Sequence, residues 1–153
     1  MYIQVLVVYL YKPIKLKIMY QDFDNPRSWD NLGTMVCFHN RYDLGDKHDY
    51  NHNNYNGWDE MKNAIIKEED VCVILPLYLY DHSGITMNTT GFSCPWDSGQ
   101  VGWTFVSKKK VREEYGVKRI SQELIEKVTE VLVGEVKTFD MYLTGELYEE
   151  EYE

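Results

Sequence analysis

The side chains best suited to chemistry concentrate in two stretches. In the first, DHSGITMNTTGFSCPWDSGQVGW over 81–103, Asp81 and His82 could act as an acid and base pair, Asp97 adds a carboxylate, and Cys94 could be a nucleophile. A thiol is mostly protonated at neutral pH, so a small thiol hydrolase built here needs an imidazole close enough to take the proton. The separation of 12 positions from His82 to Cys94 permits that contact without requiring it. A small buried thiol packed beside the indole of Trp96 accounts for Cys94 equally well.

The second stretch, 40–57, is almost wholly Asn, Asp, His, Tyr and Gly. With His39 just before it, His39, Asp43, Asp46, His48, Asp49 and His52 offer nitrogen and oxygen ligands for a divalent metal. None of their spacings is diagnostic in the way that a helical HExxH is, and a solvated polar loop carries such residues by chance. No cofactor is therefore expected, and a metal-dependent or thiol hydrolase is the alternative reading. Gly84, Gly91, Gly99 and Gly102 match neither GxxxxGK[ST] nor a GxGxxG opening a helix, so turns explain them better than a phosphate cradle. The acceptor pattern at Asn88, Thr89, Thr90 is a coincidence in a cytosolic chain.

Both stretches need elements to position them. The apolar run Val71–Tyr80 reads as a buried strand whose end delivers Asp81, His82 and Ser83 to the mouth of the core. Thr34–Phe38 is a compact strand with His39 at its end, and 2–10 and 15–18 are strands separated by Pro13. Trp58–Glu69 is an amphipathic helix with Trp58, Met61, Ala64 or Ile65 on one side. Gly99–Val106 alternates as a strand; Ser107 caps a short helix ended by Gly116, and Ser121 caps the last helix. In that helix Leu124, Ile125, Val128, Val131, Leu132, Val136 and Phe139 recur at spacings of three and four. The order predicts an α+β fold, a mostly antiparallel sheet packed against a long C-terminal helix and one or two shorter helices. With 153 residues the expectation is a single globular domain over 1–153, with a polar loop at 40–57 and an acidic tail at 146–153.

Composition narrows the partners. The net charge of −9 argues against direct binding of nucleic-acid phosphates or anionic membranes and favours a protein with a basic surface. The basic stretch Ser107–Arg119 reads as a solvated helix face. Cys37, Cys72 and Cys94 show no CxxC or CxxH spacing, and no apolar run nears the roughly 20 residues needed to span a bilayer. A reducing, cytoplasmic location follows.

The strings WDNLGTMVCFHNRYDLGDKHD and LPLYLYDHSGITMNTTGFSCPWDSGQVGW, extended by VREEYGVKRIS and EVKTFDMYLTGELY, resemble a family of small proteins encoded by bacteriophages and related mobile elements. The resemblance covers about Tyr20 to Tyr148. It implies phage origin and carries over no activity or site. Family members continue past the LTGELY position with another tryptophan, whereas this chain runs into EEEYE.

Tyrosine-rich and acidic segments then point to binding. Tyr42, Tyr50, Tyr55 and Trp58 in and beside the polar loop, and Tyr142, Tyr148 and Tyr152 among acids, are expected to face outward as contact area. The leading reading is a phage accessory binding protein, an anti-defence inhibitor of the anti-CRISPR or antirestriction type rather than an enzyme. It would occupy a basic groove of a host nucleic-acid-handling protein, such as a defence nuclease, through Tyr142, Tyr148, Glu149, Glu150, Glu151, Tyr152 and Glu153. A structural or assembly factor of the virion is the third possibility.

Overall fold

The computed structural model describes residues 25–145. The strands expected over 2–10 and 15–18 lie outside the described residues, as do Tyr148, Glu149, Glu150, Glu151, Tyr152 and Glu153 of the tail. The described chain is α+β: four antiparallel strands and three α-helices. In chain order these are β1 (Thr34–Cys37), α1 (Trp58–Glu69), β2 (Val71–Asp81), β3 (Ile85–Asn88), β4 (Ser98–Ser107), α2 (Lys108–Tyr115) and α3 (Gln122–Thr144). The sheet order is β1-β4-β2-β3.

Alternation along the strands sorts two apolar faces. On one, Met35, Cys37, Leu77, Leu79 and Met87 meet Val136 and Phe139 of α3. Val73 and Val106 continue this layer against Val111 of α2 and Val128 and Leu132 of α3. On the other, Val36, Trp103 and Phe105 pack on Met61 and Ile65 of α1. Helices therefore cover both faces. The seven-residue stripe foreseen in the last helix supplies Val128, Leu132, Val136 and Phe139 as its buried row, and Phe139 is fully buried.

Local chemistry sets the helix ends. Ser107 Oγ accepts from Lys110 N at 3.1 Å and Ser121 Oγ accepts from Leu124 N at 3.1 Å. Asp59 and Glu60 place negative charge in the first turn of α1, where the helix dipole favours it. One glycine is demanded by contact: a Cβ on Gly102 would stand 1.9 Å from the Val36 carbonyl oxygen, so β4 and β1 can pair only if that side chain is absent.

A buried polar network ties the segment before β1 to the loop after it. Arg27, its side chain 4% exposed, holds Asp46 in a fork: Nε donates to Oδ1 at 2.9 Å and Nη2 to Oδ2 at 2.7 Å. Its Nη2 also donates to the Gly33 carbonyl at 2.8 Å. Glu135 of α3 accepts from the amides of Leu32 at 2.6 Å and Gly33 at 2.9 Å, clamping the approach to β1 onto the helix.

The two outer strands of the described sheet each meet a carboxylate. Asp46 Oδ2 takes the Met35 amide of β1 at 2.9 Å, and the Asp46 amide returns a bond to the Met35 carbonyl at 2.9 Å. On β3, Asp140 of α3 accepts from the Met87 amide at 2.8 Å and the Thr86 hydroxyl at 2.6 Å.

Sequence reasoning missed β3. ITMN is short, and its outward residues Thr86 and Asn88 made 81–103 read as one polar stretch. Its pairing with β2, Asp81 opposite Ile85, closes a hairpin whose loop is His82, Ser83 and Gly84.

Candidate functional site

The segment 81–103 does bring its reactive side chains together, in an order unsuited to thiol activation. His82 Nδ1 lies 3.3 Å from Asp97 Oδ2, and Cys94 Sγ lies 4.0 Å from that same oxygen. The carboxylate thus stands at the thiol, where a catalytic thiolate needs an imidazole or another positive group. His82 and Asp97 are both open to water, their side chains 64% and 40% exposed. Asp81 is turned away to the other stretch: it pairs with Arg41, and its Oδ1 is 3.4 Å from the Tyr42 hydroxyl.

The 92–98 turn is held at three points. The Asp81 amide donates to the Asp97 carbonyl at 2.8 Å, the Ser98 hydroxyl donates to the Cys94 carbonyl, and Phe92 packs edge-on against Tyr80 with centroids 5.6 Å apart. On it the Trp96 side chain stands 90% exposed, so the expected packing of this indole beside Cys94 does not occur. Pro95 and the hairpin geometry send Trp96 outward while Cys94 turns toward Asp97. Asn88, part of the glycosylation-like triplet, caps a turn instead: its Oδ1 accepts from Gly91 N at 2.7 Å and its Nδ2 donates to the Gly91 carbonyl at 3.0 Å.

The 40–57 stretch is a loop, as its composition predicts, but a braced one. Besides Asp46, it sends Leu44 into the core at 5% exposure. Tyr42 packs against the α3-side cluster, and Tyr50, Tyr55 and Trp58 against the α1-side cluster. The expectation that these rings face outward therefore needs correcting: each is half-buried, because the loop crosses the edge of the sheet where its rings cover apolar groups. Tyr142 is likewise half-buried, stacked on Phe139 at 6.3 Å between centroids. Tyr50 also donates its hydroxyl to Glu69 at 3.1 Å; burial first, then this acid, raise its pKa.

Backbone bonds place the rings of His39 and His48. His48 Nδ1 accepts from the Tyr50 amide at 3.1 Å, which leaves Nε2 as the protonated nitrogen facing the Cys37 carbonyl at 3.0 Å. Both nitrogens are then occupied by protein. His39 Nδ1 accepts from the amides of Arg41 at 3.1 Å and Tyr42 at 3.3 Å, so in its neutral ring Nε2 carries the proton. His52 is exposed and meets Phe38 edge-on at 5.2 Å. A metal needs lone pairs that converge, and those of His39 and His48 point into their own loop. Among the described residues no three His, Cys, Asp or Glu side chains are grouped to hold a metal ion. Asp43 and Asp49 are exposed on the loop.

A cleft of about 680 Å³ opens between this loop, the start of α1 and β4. Met61 and Val101, both buried, form its floor; Phe38 and Trp58, with centroids 6.2 Å apart, form an aromatic wall. His39, Asn40, Arg41, His52 and Gln100 supply the polar rim. Sequence reasoning named His39 and His52 as ligands but had no signal for Gln100 or Val101. They arrive because β4 lies beside β1, a long-range pairing with no local signature.

No protein-family model, curated protein or solved structure matches this chain. Among the described residues no helix is long and apolar enough to cross a membrane.

Proposed function

We propose that the protein is a phage accessory protein that works by occupancy. It docks on a basic surface of a host nucleic-acid-handling protein, in the manner of an anti-CRISPR or antirestriction inhibitor, in the host cytoplasm. The observation that carries this reading is Trp96, 90% exposed on a turn tied to β2 by the bond from the Asp81 amide to the Asp97 carbonyl. Tryptophan is enriched among residues that dominate binding energy, and its large ring has few rotamers to freeze on docking. The net charge of −9 selects a basic partner. A thiol or metal hydrolase has less support, since Asp97 rather than an imidazole adjoins Cys94 and His48 spends both nitrogens on the backbone.

The test is binding of the full chain to purified basic defence nucleases, measured across salt concentrations. Affinity should fall with added salt, fall further when Glu149, Glu150, Glu151 and Glu153 are changed to Gln, and drop roughly tenfold or more in Trp96→Ser. Affinity indifferent to salt and to Trp96→Ser overturns the proposal. Turnover of an ester or peptide substrate that is lost in His82→Ala would favour the hydrolase instead.

A further inference from the structure

We infer that Asn56 is a site of spontaneous covalent modification, where the Gly57 amide displaces ammonia from the side-chain amide and leaves aspartyl and isoaspartyl linkages at the entry to α1. Trp96 and its docking role play no part in this chemistry.

The reaction asks for an asparagine side chain and the next backbone amide, both free of hydrogen bonds, with no side chain on the following residue to obstruct the ring that closes between them. Asn56 is the only asparagine of the chain that is followed by glycine. Both residues are exposed. Gly57 sits at φ +94°, and a Cβ built on it would meet nothing within 4 Å, so its amide is reached through open space. Among the described residues neither the Asn56 side chain nor the Gly57 amide makes a hydrogen bond. Gly57 is anchored through its carbonyl, which accepts from the Met61 amide at 3.3 Å as α1 begins.

The other asparagines are committed elsewhere. Asn31 Nδ2 donates to the Pro26 and Trp29 carbonyls at 2.9 and 3.0 Å, and the amide after it, Leu32, is held by Glu135. Asn88 spends Oδ1 on the Gly91 amide and Nδ2 on the Gly91 carbonyl. The amides that follow Asn40, Asn53 and Asn54 are bonded at 3.1, 3.0 and 3.2 Å. Asn51 gives Oδ1 to the Asn53 amide at 3.0 Å, and Asn63 lies inside α1, where the next amide belongs to the helix ladder. Asn25 precedes Pro26, which has no N–H to lose. The fold ties down at each of these positions what it leaves open at Asn56.

In the step itself, the Gly57 nitrogen gives up its proton and bonds to Asn56 Cγ. The Cγ–Nδ2 bond breaks, and ammonia departs with that proton, which leaves a five-membered succinimide. Water then opens the ring. Addition at Cγ gives the aspartyl form; addition at the backbone carbonyl carbon of residue 56 frees that carboxylate and gives the isoaspartyl form, with the chain running through Cγ. No oxidant or cofactor is consumed. Either product adds a negative charge just ahead of the first turn of α1, the end at which the helix dipole favours one. The isoaspartyl form also lengthens the main chain by one carbon next to Gly57 and Trp58, both of which line the cleft.

The full chain, native and unfolded in guanidinium chloride, is kept warm at mildly alkaline pH and followed over days by peptide mass spectrometry. Isoaspartate is counted by the label transferred from a protein-isoaspartate methyltransferase. The peptide carrying Asn56 should gain about 1 Da and split into two species, one of them methylated, ahead of the peptides carrying Asn31 and Asn88. Its rate in the native protein should stay within roughly tenfold of the unfolded rate, because the fold adds little to the barrier at this site. The methyl label should disappear in Asn56→Gln, which keeps an exposed amide but would have to close a larger ring. Native conversion slower than that margin, earlier conversion at another asparagine, or a methyl label that survives in Asn56→Gln overturns the assignment.

Discussion

Replacing Asp46 by Ala should be among the most damaging changes outside the apolar core. Three bonds end on this carboxylate: two from the Arg27 fork, at 2.9 and 2.7 Å, and one from the Met35 amide at 2.9 Å. Removing one partner of a buried ion pair costs about 3–5 kcal/mol, because the charge left behind stays desolvated. Here the lower part of that range applies to the pair. Arg27 keeps the Gly33 carbonyl at 2.8 Å and has Glu135 at 3.9 Å, and the Asp46 side chain is 23% exposed, so water can partly replace it. The orphaned Met35 amide adds about 1 kcal/mol, for a loss of about 4 kcal/mol in all. Urea denaturation of the parent, Asp46→Ala, Arg27→Met and the double variant completes a cycle. The two single losses should exceed the double loss by about 1.5–3 kcal/mol, as expected for contacting groups in one network. Additivity within about 0.5 kcal/mol would refute the argument that Arg27 and Asp46 act as one brace.

Other expectations follow from single sites. Gly102→Ala drives a methyl group into the Val36 carbonyl, so the thermal midpoint should fall with a loss of at least about 1–3 kcal/mol, whereas Trp96→Ser should stay within about 0.5 kcal/mol of the parent in the same melt. Burial, then the nearby Asp46 charge, push the Cys37 thiol from 9.0 up to about 12. The native state therefore holds this proton more tightly than the unfolded chain; stability is intact below pH 9 and declines as pH rises toward 12, by at most about 4 kcal/mol. Denaturation midpoints of Cys37→Ala should fall less steeply across that window. In native protein at mildly alkaline pH, mass spectrometry of iodoacetamide adducts should find Cys94 modified before Cys72, whose pKa burial raises, and Cys37 last.

Much of the fold was legible because its signals are local. Trp58–Glu69 carries apolar residues at helical spacing, and Ser107, Gly116 and Ser121 mark helix ends by capping chemistry that needs no distant partner. Val71–Asp81 announced itself as an apolar run. What stayed hidden depends on pairing across the chain. β3 is four residues long and owes its place to β2 and Asp140; the rings of Tyr42, Tyr50 and Tyr55 looked solvated because the groups they cover come from other elements. For the site, the residue types of 81–103 singled out His82, Cys94 and Asp97 as candidates, but composition cannot say whether they meet or which of the three sits in the middle. That turned on a hairpin register, and it put the carboxylate where catalysis would need the imidazole.

The acids that seal Met35 and Met87 also limit how this molecule can meet another. An incoming strand recruits a neighbour by offering carbonyl oxygens to idle amides, and at these two positions the amides are already spent on Asp46 and Asp140. Annexing the sheet at either point would mean evicting a carboxylate that is itself anchored, one by Arg27 and the other by the Thr86 hydroxyl. At both points, then, backbone zippering is closed off, and any contact made there must be made by side chains.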